Sequence, residues 1–163
     1  MPPITALLHT ANDALRLGRT LETLLPCSEI LLIDHHSSDA TRRIARQYGA
    51  RIVAADDAAR RYLDQPRHDW ILCLQPGESL SESLKTSLFE WTTLSAGNVD
   101  GSVFSLFIRE QVGEEKTGED WIRSPGPETR LIPRSWTRWH GLLPSNEPSA
   151  IPLEGELLRF DLP

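Results

Sequence analysis

Three short, almost unbroken apolar runs constrain this chain more than any other feature. They cover residues 4–8, 30–33 and 70–74, and each leads directly into polar residues. A strand that is apolar at consecutive positions has both of its faces covered, which is typical of a parallel sheet enclosed by other elements. The runs therefore predict an α/β fold.

Helical patterns occupy the gaps between these runs. Asn12 is a favourable N-cap residue, and leucines recur behind it at helical spacing until Pro26 ends the pattern. A second helix is predicted to begin after Ser38 or Asp39, either of which can cap it, and to end at Gly49. Each predicted strand is thus followed by a helix that can cross over to the next strand.

Further elements extend the pattern to residue 95. A strand is predicted at residues 51–54, a polar helix at 56–65, a type II turn at 75–78 and a helix at 81–91, capped by Ser79 or Ser81. The order βαβαβαβα predicts a mostly parallel, doubly wound sheet with helices on both faces. Beyond residue 95 the prolines become frequent, and the pattern predicts a short irregular β region.

Charge and composition exclude several classes of function. Lys and Arg number 17 against 23 Asp and Glu, giving a net charge of −6 with scattered basic residues, so a nucleic-acid partner is not expected. No apolar stretch has the length of a membrane span, and residues 1–8 lack a secretory pattern. Cys27 and Cys73 lack metal-type spacing and fit free thiols. We therefore expect a cytoplasmic protein.

Polar side chains cluster where three of the predicted strands end. In an open α/β sheet, ligands bind beyond the carboxyl ends of the strands. The loops at this edge are residues 9–12, 34–39 and 75–78. The side chains expected to line a crevice there are Thr10, Asn12, Asp34, His35, His36, Ser37, Asp39 and Glu78. A small polar ligand is predicted to occupy it.

Two of these loops carry motifs with a known pattern. Residues 9–13 read His-Thr-Ala-Asn-Asp, and residues 33–41 read Ile-Asp-His-His-Ser-Ser-Asp-Ala-Thr. They resemble the Pro-Thr-Tyr-Asn-Glu and Val-Asp-Ser/Asp-Gly-Ser-Thr-Asp-Gly-Thr motifs of inverting family-two glycosyltransferases with the GT-A fold, especially bacterial envelope-sugar transferases. Residues 45–53 are also typical of that family. The resemblance covers roughly the first half of the chain.

The resemblance implies a single domain over residues 1–163, with a nucleotide-binding part at 1–95 and a truncated acceptor-side part at 96–163. It implies that the chain binds a nucleotide sugar and transfers its glycosyl group, with a UDP-sugar as the favoured donor. The residues that would contact the donor are Thr10, Asn12, Asp34, His35, Arg60, Arg61 and Gln75. Among them, Thr10 would line the base pocket, and Arg60 or Arg61 would approach the diphosphate.

The third motif departs from the family. Residues 74–78 read Leu-Gln-Pro-Gly-Glu where the family has Leu-Asp-Ala-Asp-Glu. Gly77 stands where the resemblance places the aspartate that binds Mn²⁺ or Mg²⁺, and Gln75 replaces its partner. A hard divalent cation prefers charged oxygens, so Glu78 is the one remaining candidate ligand in this motif. The motif predicts that any glycosyl transfer is weak or independent of a metal.

The expected general base is altered as well. The family carries a His-Glu pair after a Trp-x-Gly segment, whereas residues 139–145 read Trp-His-Gly-Leu-Leu-Pro-Ser. Glu147 is the nearby candidate base. The alternative is a catalytically inactive GT-A domain that serves as a binding or scaffold partner in envelope polysaccharide synthesis. Its partner would be a second copy of the chain or an active glycosyltransferase.

Several of these residues also have a structural interpretation. Asp34 can bond loop amides, Asp39 can cap a helix, and Glu78 can be a solvated turn residue. A zinc site at His35 and His36 is disfavoured, because adjacent histidines rarely chelate one ion. Packing is favoured over sugar stacking for the late tryptophans, which are Trp121, Trp136 and Trp139.

Overall fold

The computed structural model describes residues 3–56, 62–94, 101–111 and 121–160. Helices and strands alternate in the first half, and strands dominate the second. The elements are β1 (Ile4–Thr10), α1 (Ala14–Leu21), β2 (Glu29–Asp34), α2 (Thr41–Gln47), β3 (Arg51–Ala54), β4 (Trp70–Leu74), β5 (Glu78–Leu80), α3 (Glu82–Leu94), β6 (Phe104–Gln111), β7 (Trp121–Arg123), β8 (Glu128–Pro133), β9 (Trp139–His140), β10 (Leu143–Pro144) and β11 (Ile151–Arg159).

Nine strands form one sheet in the order β3-β2-β1-β4-β8-β6-β11-β5, with β7 beside β6, and β9 and β10 form a separate pair. Strands β1 to β4 run parallel, as predicted. Strand β8 is antiparallel to β4 and β6, and β11 is parallel to β6 but antiparallel to β5. The sheet is therefore mixed rather than purely parallel, since the strands beyond position 100 join it in both directions.

The described helices all pack against one face of this sheet. Leu17 of α1, Ala45 of α2 and Leu84 of α3 belong to the same buried cluster. The opposite face is covered by Tyr62 and by residues 136–150, whose side chains form a second cluster with the strands. Helices were expected on both faces. In the described ranges they cover one, and non-helical segments cover the other.

The polar helix predicted at residues 56–65 is only partly described. Residues 57–61 lie outside the described ranges, and Tyr62 has a positive φ of 58°, which is not helical. The described end of this segment is a turn, in which the Gln65 amide donates to the Tyr62 carbonyl at 3.1 Å.

The turn at residues 75–78 is confirmed. The Glu78 amide donates to the Gln75 carbonyl at 3.1 Å, and Gly77 has a φ of 95°, as the third position of a type II turn requires. The chain then enters β5, and α3 begins after Ser81, whose hydroxyl accepts from the Leu84 amide at 3.2 Å. Of the helices in the described ranges, none is both long and apolar enough to cross a membrane.

Candidate functional site

The loops that follow β1 and β2 are joined through Asn12. The backbone amide of Asn12 donates to the Ser37 hydroxyl at 2.9 Å. Its side-chain oxygen accepts from the backbone amides of Ser38 at 2.8 Å and Asp39 at 3.3 Å. The structure places the N-cap of α1 at Asp13, so the prediction that Asn12 caps this helix is wrong. Its amide side chain instead satisfies the loop that leads into α2.

Asp39 links the starts of two helices. One carboxylate oxygen accepts from the amide of Thr41, the first residue of α2, at 2.9 Å, and the other accepts from the amide of Ala14, the first residue of α1, at 3.2 Å. The Thr41 hydroxyl and these amides hold the pKa of Asp39 below its usual range. The structure places the N-cap of α2 at Ala40, so the prediction that Ser38 or Asp39 caps this helix is wrong, although the Asp39 carboxylate binds the amides that begin both helices.

Thr10 and Asp34 are buried and already hydrogen-bonded within the protein. The Thr10 hydroxyl donates to Asp13 at 2.7 Å. Asp34 accepts from the Ser37 hydroxyl at 2.5 Å, and the Arg42 guanidinium lies 3.7 Å from its carboxylate. Their side chains hold the loops in place, which is the structural interpretation offered for Asp34.

Two histidines and a tyrosine form an aromatic cluster at the same edge. His35 Nε2 lies 2.9 Å from His9 Nδ1, and the Tyr62 ring centroid lies 5.8 Å from that of His9. Burial and the neighbouring His35 lower the pKa of His9 to about 4, so His9 is neutral at pH 7. The motif comparison drew attention to Thr10 and missed His9. Its position at the end of a buried strand was the available signal.

Glu78 is neither a solvated turn residue nor a free carboxylate. It is 1% exposed and accepts two hydrogen bonds from Arg130, at 2.8 and 2.9 Å, and one from Arg159 at 2.8 Å. The backbone amide of Gln75 donates to the Glu78 carboxylate as well, at 2.7 Å. Burial by itself would raise the pKa of Glu78, but the Arg130 charge and these hydrogen bonds hold it below its usual range.

Arg130 reaches Glu78 because β8 contains a bulge. Phe104 pairs with Leu131 and Ser105 pairs with Thr129, so Arg130 is an extra residue between them. A bulge redirects the side chain of the extra residue. Sequence reasoning missed Arg130, which lies 52 positions from its partner in the chain. The position of Arg130 directly before the apolar residues Leu131 and Ile132 of β8 was the available signal.

A small cavity of about 220 Å³ opens beside the third loop. It is lined by Gln75, Pro76, Gly77, Arg16, Arg159, Glu110 and Phe160. A Cβ atom at Gly77 would lie 3.7 Å from Arg16 Cδ, which places the Arg16 side chain directly over the turn. The third loop therefore faces two arginines that no motif contains.

These residues do not fit the divalent cation that the resemblance implies. Gln75 offers a neutral amide, Gly77 offers no side chain, and the Glu78 carboxylate is bound by two guanidinium groups. Mn²⁺ and Mg²⁺ prefer free carboxylate oxygens. Within the described ranges, no group of three or more His, Cys, Asp and Glu side chains could hold a metal ion, His35 and His36 included.

Glu147, the candidate base, is tied into its own segment. Its carboxylate accepts from the Ser149 hydroxyl at 2.8 Å and pairs with Arg138 at 2.5 Å. The hydrogen bond from Ser149 contributes most, followed by the charge of Arg138, and together they hold the pKa of Glu147 below its usual range. The lowered pKa weakens Glu147 as a base. Arg60 and Arg61, the candidate diphosphate ligands, lie outside the described residues.

The tryptophans and cysteines have structural surroundings. Trp136 and Trp139 pack on the second cluster, and their indole N–H groups donate to backbone carbonyls at 2.7 and 3.0 Å. Trp121 packs edge-on against Phe160, with the ring centroids 5.2 Å apart. Both cysteines are free thiols, and burial raises the pKa of each to about 12. The packing interpretation of Trp136 and Trp139 is confirmed.

A larger cavity of about 740 Å³ lies at the opposite edge of the sheet, where β2 and β3 begin. Its polar lining includes Glu29, which pairs with Arg51 and Arg67 at 3.4 Å each. Its size alone does not make it the ligand site. Ligands of open α/β sheets bind at the carboxyl edge, where the loops after β1, β2 and β4 lie.

Comparison with known proteins agrees with the motif resemblance. No family model matches the chain. An uncharacterized glycosyltransferase of Rickettsia felis is 29% identical over 96 residues, which cover 54% of this chain and 33% of that protein. The chain thus corresponds to about a third of the length of this curated relative.

Solved structures give the same picture of the fold. TarS of S. aureus matches with a TM-score of 0.54 at 14% identity, over 71% of this chain and 23% of TarS. Glucosyl-3-phosphoglycerate synthase from Mycobacterium tuberculosis, crystallised with Mg²⁺ and UDP, matches over 67% of this chain and 43% of its own, at 16% identity. Its TM-score of 0.48 is too low to support an inference. The resemblance to glycosyltransferases is confirmed, and the fold is an α/β fold of the GT-A type.

Proposed function

We propose that this chain binds a nucleotide sugar at the carboxyl edge of β1, β2 and β4, and that it transfers the glycosyl group slowly and without a divalent cation. One observation carries the proposal. Asn12 joins the two loops that hold the glycosyltransferase motifs, with its side-chain oxygen 2.8 Å from the Ser38 amide. A UDP-type donor and a cytoplasmic location are part of the proposal.

The base of the nucleotide is proposed to lie against the His9–His35 pair. The two imidazole rings, whose centroids lie 5.1 Å apart, present a partly exposed aromatic surface next to the Thr10 backbone. Because His9 is neutral at pH 7, its ring adds no charge to this surface. The side chains of Thr10, Asn12 and Asp34 would position the backbone of this pocket.

The reaction itself requires compensation of charge on the leaving group. Glycosyl transfer from a nucleotide sugar releases a nucleoside diphosphate, whose developing negative charge a metal or a cationic side chain must stabilise. The third loop offers no metal ligands beyond the occupied Glu78. A weakened base at Glu147 adds to the barrier. Slow transfer is therefore the activity that the residues support.

The lack of metal ligands in the third loop and the weakened base at Glu147 also fit a second candidate function. An inactive GT-A domain that binds a nucleotide sugar, or a protein partner, needs neither the metal-binding aspartates nor a free base. The ion pair of Glu147 with Arg138 at 2.5 Å favours this candidate. Its partner would be a second copy of the chain or an active glycosyltransferase.

The two candidates are separated by binding and turnover measured on the full chain. Calorimetric titration with uridine, UDP and GDP, in EDTA and then in Mn²⁺, tests nucleotide binding. Incubation with UDP- and GDP-sugars tests release of the sugar. We expect UDP to bind in EDTA and the sugar to be released slowly. Binding without release from any donor favours the inactive domain, and no nucleotide binding in either buffer contradicts the proposal.

A further inference from the structure

We propose that Arg16 and Arg159 form a metal-independent site for the diphosphate of the donor, in place of the cation that the third motif has lost. The inference rests on the proposed nucleotide binding and names the residues that would hold its charged part. Neither arginine belongs to a motif of the sequence. Arg16 lies in α1, and Arg159 is the last residue of β11.

The two arginines lie beside the turn of the third motif. Both line the cavity of about 220 Å³ whose floor is the turn at Gln75, Pro76 and Gly77. This turn corresponds to the segment that carries the metal-binding aspartates in the resembling family. The arginine side chains thus face the place where a bound cation would otherwise meet a diphosphate.

Two other depressions share lining residues with this middle cavity. Arg16 is shared with a depression of about 310 Å³ whose lining includes Asn12 and Asp39, the residues that join the first two loops. Arg159 and Glu110 are shared with a depression of about 220 Å³ on the side of β6 and β8. A ligand with its nucleoside at the first two loops would therefore place its phosphates between the arginines and its sugar beyond them.

The side chains that line the middle cavity carry two positive charges, on Arg16 and Arg159, and one negative charge, on Glu110. Next to the cavity, Glu78 contacts Arg130 at 2.8 Å and Arg159 at 2.8 Å, and Arg130 also pairs with Glu128 at 3.5 Å. The Arg159 side chain remains 34% exposed and lines the cavity. Within the described part of the chain, Arg16 is exposed and its side chain has no ion pair or hydrogen-bond partner.

The buried ion pair explains how Arg159 is held in place. Arg130 and Glu78 are both 1% exposed, and Glu78 binds one Nη atom of Arg159 from the side of the sheet. A guanidinium group carries five N–H donors, so one hydrogen bond to Glu78 leaves donors for a second anion. Guanidinium groups fixed in this way bind phosphate oxygens with defined geometry.

Gly77 contributes by what it lacks. The positive φ of 95° suits glycine, and a Cβ atom there would lie 3.7 Å from Arg16 Cδ. An aspartate at this position would place a carboxylate beside Arg16 and compete with an incoming anion. Loss of the aspartate and exposure of Arg16 are therefore consistent with one another.

The Glu110 carboxylate lines the same cavity. Replacing it should change the affinity for a diphosphate in the opposite direction to replacing Arg16. Glu110 is exposed and lines both the middle cavity and the depression beyond it. Its negative charge opposes a bound diphosphate, so neutralising it should tighten binding. Neutralising Arg16 should weaken binding by a larger factor, because a charge-assisted hydrogen bond is lost as well.

The test is calorimetric titration of the full chain with inorganic pyrophosphate and with UDP, both in EDTA. We expect both to bind, Arg16→Gln to weaken both roughly tenfold, and Glu110→Gln to strengthen both about threefold. Arg43→Gln is the matched control, since Arg43 is an exposed arginine of α2 that lines none of the three depressions. Arg159→Lys keeps the charge beside Glu78 and should weaken binding by a smaller factor than Arg16→Gln.

The outcomes separate this site from the proposed function. If UDP binds, but pyrophosphate does not and Arg16→Gln changes nothing, the diphosphate site is wrong while nucleotide binding stands. If pyrophosphate binding depends on Arg16 but no nucleotide binds more tightly than pyrophosphate, the site stands and the proposed function is wrong. Binding that requires Mn²⁺ overturns the site.

Discussion

The two parts of the carboxyl edge satisfy their polar groups in different ways. In the first part, backbone amides join the loops after β1 and β2, with the Asn12 amide 2.9 Å from the Ser37 hydroxyl and the Ala14 amide 3.2 Å from the Asp39 carboxylate. In the second part, the turn after β4 leads into a buried carboxylate, Glu78, held by two guanidinium groups. The two motifs that match the glycosyltransferase pattern lie in the first part, whereas the buried pair of Glu78 with Arg130 lies in the second.

This difference indicates how the work of the site is divided. Hydrogen bonds between neutral groups contribute about 0.5–1.5 kcal/mol each, and they fix the shape of a backbone pocket. Charged groups held rigidly at a cavity provide affinity for an anion. The motif residues therefore shape the crevice, and residues outside the motifs supply its electrostatic character. The predictions below test this division, from the largest expected effect to the smallest.

Removing the charge of Glu78 should have the largest effect. The Glu78→Gln substitution leaves buried Arg130 with the more distant carboxylate of Glu128, at 3.5 Å, and breaking a buried ion pair costs about 3–5 kcal/mol. Urea denaturation measures the loss. Glu82→Gln is the control, because the Glu82 side chain is 91% exposed and its loss should cost less than about 0.5 kcal/mol. A cost of the same size for both variants would mean that the buried pair does not anchor the second part.

Shortening Asn12 should cost about 2 kcal/mol. The Asn12→Ala variant loses the acceptor for the Ser38 and Asp39 amides, and alanine is disfavoured at the positive φ of 54°. Asn12→Gly keeps the backbone conformation and loses only the acceptor, so it should cost less. Equal costs for the two variants would assign the whole effect to hydrogen bonding. If neither variant costs stability, the first part is not held together by Asn12.

His9 should make the stability of the first part depend on pH. The unfolded chain protonates His9 near pH 6.5, whereas folded His9 remains neutral down to about pH 4. The unfolded state therefore binds more protons between these values, and stability falls as the pH falls through this window. The effect should be about 1–2 kcal/mol, after allowance for partial exposure.

Denaturation of the wild type and of His9→Asn between pH 7.5 and pH 4 isolates this contribution. The difference in unfolding free energy between the two proteins should shrink as the pH falls. His140→Asn is the control, because His140 is exposed and its replacement should leave the pH profile unchanged. A constant difference between wild type and His9→Asn across the range would show that burial does not suppress protonation of His9.

Restoring an aspartate in the third motif should have the smallest effect on stability and should not restore metal dependence. Gly77→Asp places a side chain at a φ of 95° and should cost about 1 kcal/mol. We expect UDP binding by this variant to gain no dependence on Mn²⁺, because Glu78 stays bound to its arginines.

Gly126→Asp is the matched control for the conformational cost. Gly126 is not among the glycines with positive φ, and a Cβ atom there meets no atom within 4 Å. Its denaturation midpoint should stay at that of the wild type. If Gly77→Asp makes UDP binding tighter in Mn²⁺ than in EDTA, the turn is already shaped for a cation, and the arginines do not determine the ligand preference of the second part.

The sequence by itself determined the first half of the fold and the changed third motif. Consecutive apolar residues in β1, β2 and β4 define buried parallel strands, because this pattern depends only on neighbouring positions. The turn at Gln75–Glu78 followed from Pro-Gly chemistry in the same local way. Replacement of the family's aspartates could be recognised directly in the sequence.

Only the tertiary structure decided the second half. The antiparallel direction of β8, its bulge at Arg130 and the pairing of Arg159 with Glu78 join residues 22 to 81 positions apart. No local periodicity specifies such contacts, because they depend on strand order and on which side chains the folded sheet brings together. For the same reason Glu78 was predicted to be solvated, although the folded chain buries it between two arginines.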